Sequence, residues 1–271
     1  MFRLVLLIVI VVIFLLMIAY LVMIRPSSRR TEETVRFAGT KFAHRGLHDD
    51  TAAENTLEAF RKARDAGYGI ELDVRLTKDR QVVVFHDDTL LRAAGRDVRV
   101  ADLTYDDLSS VPLFGTDAHI PLFSVVLSEL TDTPLLVELK CETKDTFLAE
   151  KTAELLARYP GPYAIESFNP LQVSWFRKNR PDVLCGQLVQ RHDLPKSQPV
   201  YIRFVLSHML LNGVVRPDFL ACNIADIRSP TFRICRLLYR PVLFGWTVRT
   251  AEDLETAAGI FDTIIFEKIR P

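Results

Sequence analysis

The first feature of the chain is an almost unbroken apolar run from Phe2 to Ile24, interrupted only by Arg3. About 20 helical residues at ~1.5 Å each match a hydrocarbon layer of about 30 Å. A cleaved signal peptide would have a shorter apolar region of about 7 to 15 residues that ends in small residues. Here Ile24 leads directly into Arg25 and Pro26. We therefore expect residues 1–24 to be a transmembrane anchor helix rather than a signal peptide.

Residues 25–40 are polar and charged, and we interpret them as a juxtamembrane linker before a domain that spans residues 41–271. Only Arg3 and the terminal amine precede the apolar run. The basic residues that follow it closely are Arg25, Arg29, Arg30 and Arg36. Because positive charge is retained on the cytoplasmic side of a membrane, we expect the domain to be cytoplasmic and the chain to be single-pass.

Beyond residue 40, short apolar runs alternate with longer amphipathic runs, a pattern typical of a parallel sheet with helical crossovers. Nine runs are predicted as strands: Phe42–His44, Gly69–Val74, Val82–His86, Leu135–Leu139, Tyr163–Ser167, Val183–Leu188, Phe219–Cys222, Val242–Thr247 and Asp262–Phe266. The second and third are too close for a parallel crossover, which needs about ten residues, so we predict a hairpin. Eight strands then remain for a barrel. An antiparallel α+β domain is the structural alternative.

The amphipathic run after the first strand has clear helix signals. Asn55 is the predicted N-cap, Glu58 completes a capping box, and Gly67 ends the helix. Residues 88–132 are a polar stretch with one short predicted helix, Tyr105–Ser110, and we interpret them as a small insertion after the third strand.

Charge and cysteine content narrow the class of function. The 34 basic and 34 acidic residues balance, so the chain lacks the basic excess expected of a nucleic-acid-binding protein. The four cysteines are too scattered for a zinc site or a disulfide framework. We interpret all four as reduced, buried thiols, which fit a cytoplasmic domain: Cys141, Cys185, Cys222 and Cys235.

Acidic residues interrupt two of the apolar strands. Alternate strand residues share a face, so Glu71 and Asp73 point the same way in IELDV, as do Glu138 and Lys140 in LLVELK. A charge at the end of a core strand must be paired, solvated or bound to a metal. Ordinary ion pairing, for instance of Glu138 with Arg75, is one interpretation. Three such carboxylates instead favour a hard cation such as Ca²⁺ or Mg²⁺.

Two histidines occupy similar positions, because His44 closes the first strand in AHRG and His86 closes the third in VVVFHDD. Imidazoles titrate near neutral pH, so a pair beside a phosphodiester could accept and donate the protons of hydrolysis. Capped or surface positions are the alternative for each. The other histidines are interpreted as surface or packing residues: His48, His119, His192 and His208.

A set of motifs contains these residues: AHRG, AENTLEAF, IELDVRLTKD, VVFHDDTLLR, VELK, ESFNP and GWTV. Their order, over nearly all of Phe42–Val248, resembles the glycerophosphodiester phosphodiesterase family. The resemblance implies an α/β fold, a distorted TIM (β/α)8 barrel. It also implies hydrolysis of a small-molecule or lipid phosphodiester, either a glycerophosphodiester or a lysophospholipid, to an alcohol and a phosphomonoester such as glycerol 3-phosphate.

The same resemblance assigns roles to individual positions. It implies one divalent cation, Ca²⁺ or Mg²⁺, held by Glu71, Asp73 and Glu138. It implies that His44 and His86 act as acid and base. Substrate-binding positions are expected at Arg45 and Lys140, which would meet phosphate, and at Trp246, on the alcohol side, where packing is the alternative role.

The chain departs from the family pattern at three places: AENT replaces PENT, Arg249 follows WTV where Asn is common, and FEKIRP replaces an ending similar to T-D-x-P. None of the three changes a proposed metal ligand or proton-transfer group, so they bear on substrate choice more than on activity. Two alternative functions stay open. One is an inactive membrane-anchored barrel that binds a phosphate-containing ligand or a protein partner, and the other is an unrelated membrane-tethered barrel enzyme.

Overall fold

The computed structural model describes residues 1–27, 31–191 and 199–271, without the side chain of Arg36. Arg29 and Arg30, which entered the orientation argument, and His192 lie outside the described residues.

The domain is a closed barrel of eight parallel strands with one additional strand, β3. The strands are β1 Phe42–His44, β2 Gly69–Leu76, β3 Val82–Val84, β4 Leu135–Leu139, β5 Tyr163–Ser167, β6 Leu184–Val189, β7 Phe219–Asn223, β8 Val242–Val248 and β9 Thr263–Phe266. The sheet closes because β1 pairs with both β2 and β9. This confirms the predicted barrel, and the antiparallel α+β alternative is wrong.

Helices cover the outside of the barrel, and β3 pairs antiparallel with β2, as the short connection predicted. The helices are α1 Phe2–Ile24, α2 Glu32–Ala38, α3 Leu57–Asp65, α4 Leu91–Ala94, α5 Tyr105–Ser109, α6 Phe123–Glu129, α7 Phe147–Leu156, α8 Pro170–Asn179, α9 Val200–Ser207, α10 Asn212–Val215, α11 Pro230–Tyr239 and α12 Ala251–Ala257. Short 3-10 turns occur at Val100–Asp102 and Ile224–Asp226.

The segment predicted as a linker contains α2, which packs on the barrel. The Phe37 ring lies 5.1 Å from that of Phe42 and 6.3 Å from that of Phe244. Phe42 begins β1, so α2 covers the end of the barrel at which the parallel strands begin, here called the amino end. The opposite end, at which those strands finish, is called the carboxyl end.

The insertion at residues 88–132 has a small core of its own. Leu90, Val100, Leu108 and Ile120 are buried together against Val83 of β3. Besides the predicted helix, which is observed as α5, the stretch contains α4, a 3-10 turn and the crossover helix α6. The insertion therefore packs as a folded layer beside the hairpin.

The apolar run at the N-terminus forms α1, the one described helix with the length and composition to cross a membrane. Residues 2–19 are exposed, whereas Ile24 is buried among residues of the barrel's outer helices. Its backbone oxygen accepts a hydrogen bond from the Asn212 side chain, and the Tyr239 hydroxyl donates to the Leu21 carbonyl. The last turns of α1 are therefore part of the folded domain.

Candidate active site

A layer of carboxylates lies inside the barrel near its carboxyl end. Strand register places Asp73 beside Glu138, and Glu138 beside Glu166, across three adjacent strands. Glu71 lies two residues before Asp73 on the same face of β2. Ligand oxygens of Glu71, Asp73 and Glu138 all lie within 4.8 Å of one another, and all four residues are buried. The structure thus brings the three predicted metal ligands together.

Two basic side chains, Lys140 and Arg45, lie next to these four acidic groups. Lys140 Nζ lies 2.8 Å from Glu138 Oε2 and 3.2 Å from Asp73 Oδ1. Arg45 Nε lies 3.4 Å from Asp73 Oδ2. The suggested pairing of Glu138 with Arg75 is wrong, because Glu138 pairs with Lys140, just after β4, and Arg75 pairs with Asp88.

Burial and the neighbouring charges shift the pKa values of these carboxyl groups. Burial, together with the charges of Asp73 and Glu138, raises the pKa of Glu71 well above its usual value. Burial and the charge of Glu138 do the same for the pKa of Glu166. Burial also acts to raise the pKa of Asp73, but Lys140 and other nearby cationic groups outweigh it and hold that pKa well below normal. The cluster therefore needs added positive charge, or protons, to be stable.

The AHRG turn brings backbone and side chain to this cluster. Arg45 adopts φ 56°, and its backbone N–H donates to Glu71 Oε2 over 3.0 Å. Gly46 follows at φ 81°, and a methyl group there would lie 2.9 Å from the backbone of Ala59. Only glycine fits this close approach of the turn to α3. Glu54 anchors the Arg45 guanidinium at 2.8 Å.

Asn55 has a different role from the predicted helix cap. Its φ of 57° directs the side chain inward, where Nδ2 donates to Asp73 Oδ2 over 2.8 Å. The helix cap is Thr56, whose hydroxyl accepts from the Ala59 backbone N–H. The prediction was wrong because the Asn55 backbone is held by Arg45, whose carbonyl accepts from the Asn55 N–H.

His44 lies at the edge of the carboxylate layer. Its Nδ1 hydrogen-bonds Glu267 Oε2 at 3.2 Å, and its Nε2 lies 4.0 Å from Glu71 Oε2. Burial lowers the pKa of His44 to about 4, despite the opposing bond to Glu267. The imidazole is therefore neutral at neutral pH, as a proton acceptor must be.

His86 approaches the cluster from the hairpin. β4 pairs along one edge of β2, so β1 and β3 must share the other edge. β1 pairs with β2 as far as Glu71, and β3 pairs with it from Val74 onward. His44 at the end of β1 and His86, two residues after the end of β3, therefore both lie beside the carboxylates. His86 Nδ1 bonds Asp87 Oδ1 at 2.6 Å, which fixes the direction of its ring.

Trp246 lies inside the barrel in a packed position. Its ring meets Phe168 edge to face at 5.7 Å, and its Nε1 donates to the Ala221 carbonyl over 2.9 Å. Phe168 also lies under Lys140 Nζ at 5.9 Å, so the Trp246 ring borders the site through Phe168. Arg249 pairs with Glu267 at 3.0 Å. Arg249, and Glu267 in the FEKIRP ending, both belong to departures from the family pattern, and they thus contact each other next to His44.

Three supporting residues were not assigned from the sequence. Glu166 stands in the quoted motif ESFNP, and its place at the end of an apolar strand is the same signal that identified Glu138. Asn55 was predicted only as a helix cap, and Glu267 gave no signal of its own, because their contacts with Asp73 and His44 join segments far apart in the chain.

The residues present fit a hard divalent cation. Their donor atoms are carboxylate oxygens, which Ca²⁺ and Mg²⁺ prefer. Four acidic groups face the two cations Lys140 and Arg45, so a divalent ion balances the charge when all four are ionised. Glu166 Oε2 is buried without a hydrogen-bond partner among the described residues.

Comparison with known proteins identifies the family of this chain. Residues 44–258 match the sequence model of the glycerophosphoryl diester phosphodiesterase family, over most of the chain. The chain belongs to this family. A glycerophosphodiester phosphodiesterase of Caldanaerobacter subterraneus subsp. tengcongensis is 31% identical over 226 residues, covering 79% of this chain and 87% of that protein.

Other relatives match a smaller part. The lysophospholipase D GDPD1 of Rattus norvegicus is 34% identical over 154 residues, covering 52% of this chain and 48% of that protein. The chain thus aligns with about half the length of this relative.

Solved structures share the fold. A glycerophosphodiester phosphodiesterase from Thermotoga maritima has a TM-score of 0.65 at 27% identity, covering 84% of this chain and 93% of that one. A phosphodiesterase from Oleispira antarctica, solved with the product sn-glycerol-3-phosphate, has a TM-score of 0.68 at 20% identity, covering 84% and 92% of the two chains.

Proposed function

We propose that this chain is a metal-dependent phosphodiesterase that hydrolyses glycerophosphodiesters or lysophospholipids to an alcohol and a phosphomonoester such as glycerol 3-phosphate. The observation that carries the proposal is the buried layer of Glu71, Asp73 and Glu138 with His44 at its edge. The two substrate classes are supported by the similarity to a glycerophosphodiester phosphodiesterase of Caldanaerobacter and to a lysophospholipase D of Rattus.

Glu71, Asp73 and Glu138 would hold one cation, Ca²⁺ or Mg²⁺, which supplies a Lewis acid for a nonbridging phosphate oxygen. Lys140 and Arg45 add fixed positive charge beside that position. Both basic side chains are already held by carboxylates. They are therefore oriented before substrate arrives and need little rearrangement in the transition state.

His44 and His86 would move the protons. One imidazole takes the proton of the attacking oxygen, and the other gives a proton to the alcohol that leaves. Glu267 and Asp87 each hold the Nδ1 side of one ring, which leaves Nε2 available to the substrate. The attacking oxygen is either water or a neighbouring hydroxyl of the substrate, which would give a transient cyclic phosphate, and the same two groups serve both routes.

Trp246 would contribute to the alcohol side of the substrate pocket through its packing on Phe168. Arg249 differs from the residue common in the family and is held by Glu267. Its charge near His44 therefore bears on which alcohol group is accepted.

We assign α1 as a single-pass anchor that leaves the catalytic domain on the cytoplasmic side. Burial of Ile24 against the barrel supports retention of the helix, since cleavage after the span would remove a packed residue. Protease treatment of intact cells tests the orientation. Protection of the barrel is expected, and digestion from outside would overturn the cytoplasmic placement.

The activity is tested with the purified full chain in detergent on glycerophosphocholine, glycerophosphoethanolamine and lysophosphatidylcholine, with Ca²⁺, Mg²⁺ or chelator. We expect release of the alcohol with a cation and none with chelator. Glu71→Gln and His44→Asn should lose nearly all activity, and His119→Asn is the matched control. Parent-like cleavage by both site variants would refute the site, and an inert parent would favour a barrel that only binds its ligand.

A further inference from the structure

The way in which α1 joins the barrel fixes the direction of the span. The Tyr20 hydroxyl hydrogen-bonds Thr231 Oγ1 at 2.8 Å, and Thr231 lies in the first turn of α11. α11 follows β7, so this contact is at the carboxyl end of the barrel. Seven residues later, the Ser27 N–H donates to the carbonyl of Pro217, which lies just before β7 at the amino end.

The chain from Tyr20 to Ser27 therefore descends the outside of the barrel, antiparallel to β7. Residues 2–19 must extend in the opposite direction, beyond the carboxyl end, by about 27 Å of helix. The contact is close, because a methyl group on Gly213 of α10 would lie 2.1 Å from the Val22 carbonyl oxygen. The span thus leaves the barrel at the end that carries His44 and the carboxylates.

A second apolar element lies at the same end. The crossover helix α9 follows β6, and Ser207 at its last turn lines a small cavity with Tyr20 and Thr231. None of the eight described residues of α9 is buried. Val200, Tyr201 and Phe204 are 78%, 69% and 55% exposed.

Exposed apolar side chains that lie together, as these three do, mark an interaction surface. Its position next to the emerging span specifies the partner, because a bilayer crossed by residues 2–19 must begin close to α9. Tyrosine is enriched where a membrane meets water, and aromatic and aliphatic side chains of a surface helix insert there.

We propose that the last turns of α1 lock the barrel with its carboxyl end against the phospholipid bilayer, with α9 inserted in the interface, so that the catalytic mouth opens toward the lipid surface. This rests on the proposed function for the identity of the substrate, and it specifies amphiphilic diesters taken from the membrane. A lysophospholipid in the bilayer would then reach the carboxylate layer without leaving the membrane surface.

The orientation of the barrel against the bilayer is tested without an activity assay. The full chain carries one nitroxide label in a Cys141→Ser background, and each nanodisc holds one copy of it. A label at Tyr201→Cys should collide with oxygen and be shielded from a water-soluble nickel chelate. The control label is Val35→Cys, at an exposed position on α2 at the amino end, and should show the reverse. Equal accessibility of the two labels to the nickel chelate would overturn the proposal.

The consequence for substrate is tested by the double variant Tyr201→Ser/Phe204→Ser. We expect activity on membrane-borne lysophosphatidylcholine to fall about tenfold, with activity on soluble glycerophosphocholine unchanged. Leu237→Ser/Leu238→Ser removes a similar exposed pair at the far end of α11 and should change neither. An equal loss on both substrates would overturn the role of α9, whereas a parent that cleaves neither would refute the proposed function and leave the label result standing.

Discussion

The Asn55 side chain donates a 2.8 Å hydrogen bond to Asp73 Oδ2, and so joins the turn before α3 to the carboxylate layer. Asn55 is 2% exposed, and it holds the left-handed conformation, which asparagine tolerates better than most residues. The bond holds the carboxylate of Asp73 in one direction, and so would orient it for the proposed cation.

Loss of this amide should weaken the cation site. Asn55→Gly keeps the backbone conformation and removes the amide, so we expect cation affinity and kcat to fall about 10- to 100-fold. Calorimetric titration with Mg²⁺ and Ca²⁺ measures the affinity. Thr56→Ala is the matched control, because it removes the helix cap at a cost of about 1 kcal/mol in unfolding free energy with little effect on the cation. Equal cation affinity in Asn55→Gly and the parent would contradict this role.

Glu267 should act through His44. Glu267→Gln weakens the charge that orients Nδ1, so we expect kcat to fall by about tenfold or more while the fold is retained. Arg270→Gln changes an exposed residue of the same segment and should leave kcat unaltered. The pH profile of kcat distinguishes positioning from packing, because a changed His44 environment shifts the acidic limb. An unshifted profile with unchanged kcat would remove Glu267 from the site.

Cation binding should release protons. Burial and neighbouring carboxylates raise the pKa values of Glu71, Glu138 and Glu166, so these groups bind protons more tightly than free carboxyls do. A divalent ion favours their ionised forms, and affinity must therefore decrease as pH falls. Calorimetry near pH 6 in two buffers of different ionisation enthalpy measures the release. Identical heats in the two buffers would contradict the raised pKa values.

The thiols should differ in reactivity. All four cysteines are free, but the prediction that all are buried is wrong for Cys141, which is partly exposed. Burial raises the pKa of Cys235 to about 12 and also raises the pKa values of Cys185 and Cys222. At pH 8 we expect one fast reaction with a disulfide reagent, absent in Cys141→Ser. Two or more fast thiols in the folded protein would show that the outer helices open readily.

Strand alternation was enough to place Glu71 with Asp73, and Glu138 with Lys140, on one face of their strands. The short connection between the second and third strands identified the hairpin. These signals are local, so the sequence contains them. Register between strands is not local, and it is register that brings Glu166 beside Glu138. The role of Asn55 could not be predicted either, because its conformation depends on a bond to Arg45 ten residues earlier in the chain.

The packing of the N-terminal segment could not be predicted from the sequence either. Phe37 lies in a charged stretch, and nothing in that stretch indicates that the open amino end of the barrel needs an aromatic cover. The docking of Ile24 against outer helices depends on surfaces nearly 190 residues away along the chain. Apolar length alone therefore predicted a span, but not the end of the barrel from which it leaves.

Anomalous diffraction from crystals soaked with Mn²⁺ tests whether Glu71, Asp73 and Glu138 bind one divalent ion beside His44, on which the proposed function depends. We predict one strong anomalous peak bonded to oxygens of all three carboxylates, and its loss in Glu71→Gln. Absence of a peak there in crystals of an active, cation-dependent enzyme, or a peak bound elsewhere, would show that these carboxylates are not the metal site.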